Sequence, residues 1–216
     1  QLADLEAVVA FAQSHNLCSI IDNTFASPVL FQPILLGFDI VVESCTKYLN
    51  GHNDLIAGSV AGSEDAVSRI KGALSHVGGH LDSQSCFLLE RGLKTVGLRV
   101  AHQTQSAMRI ANSLSTHGAI SAVNYPGLAA HPQHARAKRL LAGFGGMMSF
   151  ELAGGLKAAE RFLAKLTIPA VAASLGGAES LIVRPAAAVH SGLSSEERAR
   201  TGITDSLIRF SVGLEG

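Results

Sequence analysis

The sequence has no tryptophan, only two tyrosines, six prolines, three cysteines and no net charge, with 17 Lys+Arg against 17 Asp+Glu in 216 residues. Each shortage excludes something. A neutral balance removes the broad positive field that gathers proteins onto nucleic acid or an anionic membrane surface, so neither is expected as a partner. Cys18, Cys45 and Cys86 are odd in number, widely separated and set in apolar segments. They make no disulfide framework and fit a reducing cytoplasm. The apolar stretches are cut by Asp22, Pro28, Pro33 and Asp39, and later by Glu179 and Pro185, so none reaches the roughly 18–20 residues of a membrane span. The opening residues QLADLEAVVAFA carry Asp4 and Glu6 and no basic stretch, unlike a secretory signal. With no initiator methionine, the sequence is expected to be an excerpt.

Apolar residues are plentiful: 47% of the chain is hydrophobic and 16% charged, too apolar a balance for a disordered chain. A small neutral or zwitterionic ligand is therefore the expected partner. Leu2, Leu5, Val8, Val9 and Ala12 recur at helical spacing and lead through polar residues into Ser19-Ile20-Ile21, which stops at Asp22. That reads as helix, turn, strand. Continuous apolar runs at 39–44 and 55–61 predict two more strands, and buried runs alternating with helices predict a mainly parallel sheet covered on both faces. Residues 83–115 contain no proline and only Gly92 and Gly97 as breakers, which predicts one long or broken helix joining two units. Beyond Gly118, strands at 120–124, 147–152, 181–183 and 207–212 alternate with helices at 133–141, 156–166 and 195–200. The class is α/β, with a second, smaller α/β unit.

Asp22 closes one predicted buried strand, and SCTKYLNGHND (Ser44 to Asp54) follows the next. Ligands of open α/β sheets collect outside the carboxyl ends of the strands, so these segments are expected to face one crevice. In extended chain the hydroxyls of Ser44 and Thr46 point the same way and suit a phosphate, while Lys47 turns elsewhere. A lysine so placed is a candidate Schiff-base nucleophile. Each residue also has a plainer role open to it: Lys47 as a surface lysine, Asp22 as a helix cap or Asx turn, Ser174 as a turn residue. Arg209 is less ambiguous, because a half-buried arginine within an apolar strand needs an anionic partner. His131 and His134 in HPQH are spaced three apart, but Pro132 argues against a helical ligand pair, and no metal is expected. A metal hydrolase using His52, Asp54, His131 and His134 is the most remote alternative. Cys45 reads as a small buried filler.

DNTFASP (Asp22 to Pro28), SCTKYLNGHND, RGLKT (Arg91 to Thr95), YPGL (Tyr125 to Leu128), GFGGMMSFEL (Gly143 to Leu152), SLGGAESL (Ser174 to Leu181) and LIRFSVGLE (Leu207 to Glu215) occur in that order. Together they resemble the Cys/Met-metabolism, or transsulfuration, enzymes that use pyridoxal 5′-phosphate. The resemblance covers essentially the whole chain and is closest to cystathionine γ-synthases and γ-lyases. It implies the C-terminal portion of such an enzyme: residues 1–92 as part of a large cofactor domain like that of aspartate aminotransferase, and 93–216 as the small domain, joined by the long helix near 83–115. It implies that Lys47 binds the cofactor and moves protons, that Asp22 pairs with the pyridine nitrogen, and that Ser44 and Thr46 hold the phosphate. Arg209 and Ser174 would take the substrate α-carboxylate.

β-Lyases of this family often carry tryptophan after the serine matched by Ser174. Leu175 stands there, which favours reaction at the γ-carbon of a homoserine ester or cystathionine, in methionine and cysteine metabolism. Glu43 replaces a common histidine. Ala173 replaces a glutamate associated with the distal amino group of cystathionine, which admits γ-lyase or O-acylhomoserine sulfhydrylase activity. The implied protein is a cytoplasmic homotetramer acting on an amino-acid substrate such as a homoserine ester, cystathionine or cysteine. The contrasting reading is a truncated, non-catalytic segment kept for association.

Overall fold

The computed structural model describes residues 1–188 and 190–215. The chain begins with helix α1 (Leu5–Ser14), started by Asp4, whose carboxylate accepts from the Ala7 amide at 3.1 Å. Strand β1 (Ile20–Asp22), the single-turn helices α2 (Ser27–Leu30) and α3 (Pro33–Leu36), and strands β2 (Ile40–Ser44) and β3 (Gly58–Gly62) follow. Three helices come next: α4 (Glu64–Val77), α5 (Ser83–Leu93) and α6 (Val96–Ser115). The remainder is β4 (Ile120–Asn124), α7 (His134–Leu140), β5 (Met147–Leu152), α8 (Gly155–Leu163), β6 (Ala170–Val171), β7 (Leu181–Val183), a 3₁₀ turn at Pro185–Ala187, α9 (Ser195–Arg200) and β8 (Leu207–Ser211).

The strands form two sheets, one ordered β1-β2-β3 and the other β4-β5-β8-β7-β6. β1 and β2 are parallel, with Asp22 opposite Val42, but β3 returns antiparallel to β2. The first sheet is therefore mixed rather than mainly parallel. Residues 45–57 contain turns and no helix, and without a crossover helix the chain doubles back instead of re-entering in parallel. The sheet is also not covered on both faces: Ile20 is 60% exposed, and no residue of β3 is buried. The second sheet is antiparallel apart from the short β6–β7 pair. Strict alternation of buried and half-buried residues along β5 places Met148, Phe150 and Leu152 in its core.

The helix expected over 83–115 is broken at Lys94-Thr95. Just before the break Gly92 lies so close to Asn50 that a side chain there would collide with the Asn50 carbonyl, and α6 opens after Thr95. The buried positions of α6 (Arg99, Val100, Gln103, Ala107 and Ala111) make one stripe. Its first half packs Val100 against Leu30, Tyr48 and Leu175, and its second half packs Ala107 and Ala111 against Tyr125, Phe150, Ile182 and Ile208. α6 thus serves both cores. At the opposite side α1 is tied to α7 by Arg136–Asp4 at 2.6 Å and by Arg139–Glu6. These pairs are solvent-accessible and contribute little stability each.

Candidate active site

Asp22 ends β1 and Ser44 ends β2, so both stand at the carboxyl edge of the parallel pair. One Asp22 carboxylate oxygen accepts from the Thr24 amide at 2.9 Å, an Asx turn that fixes the group while leaving its second oxygen open. After Ser44 the extended chain stops. Residues 45–50 wind into successive turns, with the Lys47 amide on the Ser44 carbonyl at 3.0 Å and the Gly51 amide on the Lys47 carbonyl at 2.7 Å. The expected side-by-side presentation of Ser44 and Thr46 in extended chain is therefore not what forms. Thr46 is folded into the turn, where its hydroxyl accepts from the Ala57 amide at 3.0 Å and donates to the Ala57 carbonyl at 3.4 Å. The Ser44 hydroxyl makes no hydrogen bond among the described residues, and its amide donates to Thr24 Oγ1 at 2.8 Å.

Lys47 Nζ donates to Ser174 Oγ at 2.9 Å across 127 positions of sequence. Arg209, in the centre of β8, donates from Nη2 to the Ser174 carbonyl at 3.1 Å. Lys47, Ser174 and Arg209 are thereby joined in one hydrogen-bonded chain. Among the described residues neither cation has a carboxylate within ion-pair distance. Within the chain Arg209 gives one of its five N–H donors to a carbonyl. Burial lowers the proton affinity of Arg209 without discharging it. Asp22 and Arg209 line one cavity of about 410 Å³, together with Asn124, Ser149, Phe25 and Phe144. Ser44, Thr46, Lys47 and Ser174 lie outside that lining, and Arg209 is the residue that connects the cavity to the Lys47–Ser174 pair.

The loop that carries Ser174 is rigidly built. Gly176 has φ +76° and lies so close to Tyr48 that a Cβ would sit 2.9 Å from its amide nitrogen. The Gly176 amide donates to Ser211 Oγ at 2.9 Å, and the Ala178 amide to the Gly51 carbonyl at 2.8 Å. Leu175 turns inward, 5% exposed, against Tyr48 and Val100. Cys45 is 1% exposed and burial pushes its thiol up, which fits a packing role rather than a nucleophile. Among the described residues no three His, Cys, Asp or Glu side chains are grouped to hold a metal. His52, His131 and His134 instead engage the backbone at Asn50, Gln133 and Pro126.

Sequence reading missed Asn23, Arg99 and Gln103 as parts of this neighbourhood, and noted Glu43 only as a replaced histidine. Polar residues interrupting the apolar stripe of α6 were the available signal for Arg99 and Gln103. Glu43 is 9% exposed and accepts from Asn23 Nδ2 at 2.9 Å. Burial raises its carboxyl above the ordinary 4.5, the Asn23 bond opposes this, and the nearby Asp22 charge adds to it. A carboxyl that keeps its proton longer folded than unfolded contributes most at acid pH. That contribution declines as pH rises from about 4.5 through the raised folded value. Glu43→Gln retains the Asn23 bond and removes the titration. Its melting temperature, measured without cofactor, is expected to match the parent below about pH 4.5, to exceed it increasingly as pH rises from there to the raised folded value, and to keep a constant margin above it. A difference that is flat with pH rejects this account.

Among the described residues Lys47 and Arg209 have no ion-pair partner, and Asp22 stands at the carboxyl edge of the parallel strand pair of an α/β chain. The chain belongs to the Cys/Met metabolism PLP-dependent enzyme family, whose profile matches residues 1–216. It is 46% identical over 218 residues to an L-methionine gamma-lyase of Pseudomonas deceptionensis, covering 100% of this chain and 55% of that protein. It is 44% identical to a cystathionine beta-lyase of Lactococcus lactis subsp. cremoris, covering 100% and 57%. The structure of cystathionine gamma synthase from Xanthomonas oryzae pv. oryzae, in complex with aminoacrylate and cysteine, superposes with a TM-score of 0.97 at 40% identity, covering 100% of this chain and 56% of that one. The chain therefore spans about half the length of the relatives it matches.

Proposed function

We propose that this chain supplies the lysine-bearing half of a pyridoxal 5′-phosphate enzyme acting at the γ-carbon of a homoserine ester or of cystathionine. The observation that carries the reading is the hydrogen-bonded chain Lys47–Ser174–Arg209, with Asp22 on the same cavity as Arg209. The residues fit the cofactor chemically: a primary amine for its aldehyde, a carboxylate for its ring nitrogen and an unengaged Ser44 hydroxyl for its phosphate. When bound, the cofactor supplies an electron sink for negative charge at the substrate α-carbon.

Lys47 Nζ would hold the cofactor aldehyde and, as a free amine, would carry protons. Ser174 Oγ holds that nitrogen on the Arg209 side of the site. The Asp22 oxygen that Thr24 leaves free would pair with the ring nitrogen and favour its protonated form. Ser44 and Thr46 would hold the phosphate. Arg209 takes the substrate α-carboxylate with the donors that Ser174 leaves free. The absence of any tryptophan, with Leu175 after Ser174, supports γ- over β-chemistry. Likeness to a methionine gamma-lyase supports γ-lyase activity as the second reading. Residues 1–92 are assigned to the cofactor domain and 93–216 to the small domain of a cytoplasmic homotetramer. Among the described residues, no helix is long and apolar enough to cross a membrane.

The test is borohydride reduction of the full-length protein loaded with cofactor, followed by peptide mass spectrometry, beside an assay for 2-oxobutanoate release from homoserine esters and cystathionine. A pyridoxyl adduct on Lys47 with turnover is the expected result. An adduct on another lysine, or none, defeats the assignment.

A further inference from the structure

We propose that Arg99 and Gln103, one turn apart on the buried face of α6, are positioning residues that set Lys47 against Ser174. The proposal deepens the reading above and rests on Lys47 as the attachment site. Arg99 is 5% exposed and spends its guanidinium on the turn that follows Lys47. Nη1 donates to the Tyr48 carbonyl at 2.8 Å, and Nη2 to the carbonyls of Leu49 at 3.2 Å and Gly92 at 2.9 Å. Nε donates to Thr95 Oγ1 at 3.0 Å. Gly51 makes room for this, since any side chain there would overlap the guanidinium, and Gly92 lets α5 meet Asn50 closely. Four positions later, Gln103 is fully buried and its Nε2 donates to the Gly177 carbonyl at 2.7 Å, in the loop that presents Ser174. One rigid helix thus grips both loops whose side chains meet at 2.9 Å.

Stability alone is a poor reason for this arrangement. Among the described residues no carboxylate pairs with Arg99, and a buried cation held only by neutral acceptors is costly to desolvate. What the fan of donors provides is orientation: carbonyls of Tyr48, Leu49 and Gly92 can meet one guanidinium at once in few geometries. The RGLKT segment acquires a role the chemistry had not given it, with Gly92 and Thr95 as the seat of Arg99. Lysine in place of Arg99 keeps the charge but loses the fork.

The two contacts act on different halves of the site, so their loss separates kinetically. In the full-length, cofactor-loaded protein, Arg99→Lys is expected to lower kcat about 100-fold, as displacement of a reacting group by an ångström does, with KM little changed. It is also expected to lower the yield of borohydride-trapped adduct on Lys47 in a fixed loading time. Gln103→Leu loses one hydrogen bond and is expected to raise KM about tenfold, with kcat and Lys47 trapping near the parent values. Melting temperatures of both variants are measured alongside. Lowered melting temperatures with kcat, KM and Lys47 trapping all at parent values make both residues merely structural and overturn the proposal. An adduct on another lysine in the unsubstituted protein overturns the parent reading, and this one with it. An adduct on Lys47 with no kinetic split overturns only this one.

Discussion

Lys47→Ala is expected to lower turnover by at least about 10³-fold, the scale of losing a positioned acid–base group, and to leave no borohydride-trapped adduct anywhere in the protein. Folding is expected to survive. The lost side chain makes one hydrogen bond, to Ser174 Oγ, and is only partly buried, while the turn around it is held by backbone bonds from Ser44 to Gly51. Lys47→Arg is the companion variant: it keeps the charge and the reach but cannot condense with an aldehyde, and it is expected to be as inactive as alanine. Activity of Lys47→Ala within tenfold of the parent removes Lys47 from the mechanism, whereas loss confined to alanine makes Lys47 a point charge rather than an attachment atom.

The second large effect concerns Arg209. Removing its guanidinium as Arg209→Leu is expected to cost at least two charge-assisted hydrogen bonds to a substrate carboxylate. At about 1.5 kcal/mol or more each, kcat/KM falls at least about 100-fold. Arg209→Lys is expected to recover only part of this, because an ammonium cannot offer the planar fork that meets both carboxylate oxygens. The decisive comparison uses a substrate whose α-carboxylate is replaced by a carboxamide. The parent is expected to discriminate strongly against it, and Arg209→Leu to discriminate little. Equal discrimination by both places the carboxylate elsewhere. Because β8 is central in its sheet and Arg209 is flanked by buried Ile208 and Phe210, leucine at this position is compatible with the strand.

Local pattern was a reliable guide wherever one face of an element is buried. β5 alternates so regularly, and β7 is so uniformly buried, that both are expected over the same residues they occupy. α4 was not expected, although Val67, Ile70, Leu74 and Val77 recur at helical spacing and Ser63, Glu64 and Asp65 mark its start; in the structure none of its residues is buried. The direction of β3 was also illegible, since an apolar run has the same period whether its neighbour runs parallel or antiparallel. Thr46 shows the limit of reasoning from an extended strand, because its hydroxyl follows the turn that begins one residue after β2 ends.

The chemical inventory belongs to the sequence by itself: Lys47 following Ser44 and Thr46, Asp22 ahead of them, Ser174 and Arg209 downstream, and the order of motifs that marks the family. Residue types and local spacing carry that information because short-range sterics and hydrogen bonding dictate where a strand ends and a turn begins. Only the tertiary structure decided which of these residues meet. Lys47 and Ser174 are 127 positions apart, and no local rule relates them. Their contact arises from α6, whose buried face packs into both cores and whose Arg99 and Gln103 hold the two loops. A buried guanidinium and a buried amide must find acceptors wherever the fold places them, and here the acceptors are the backbones that carry the site.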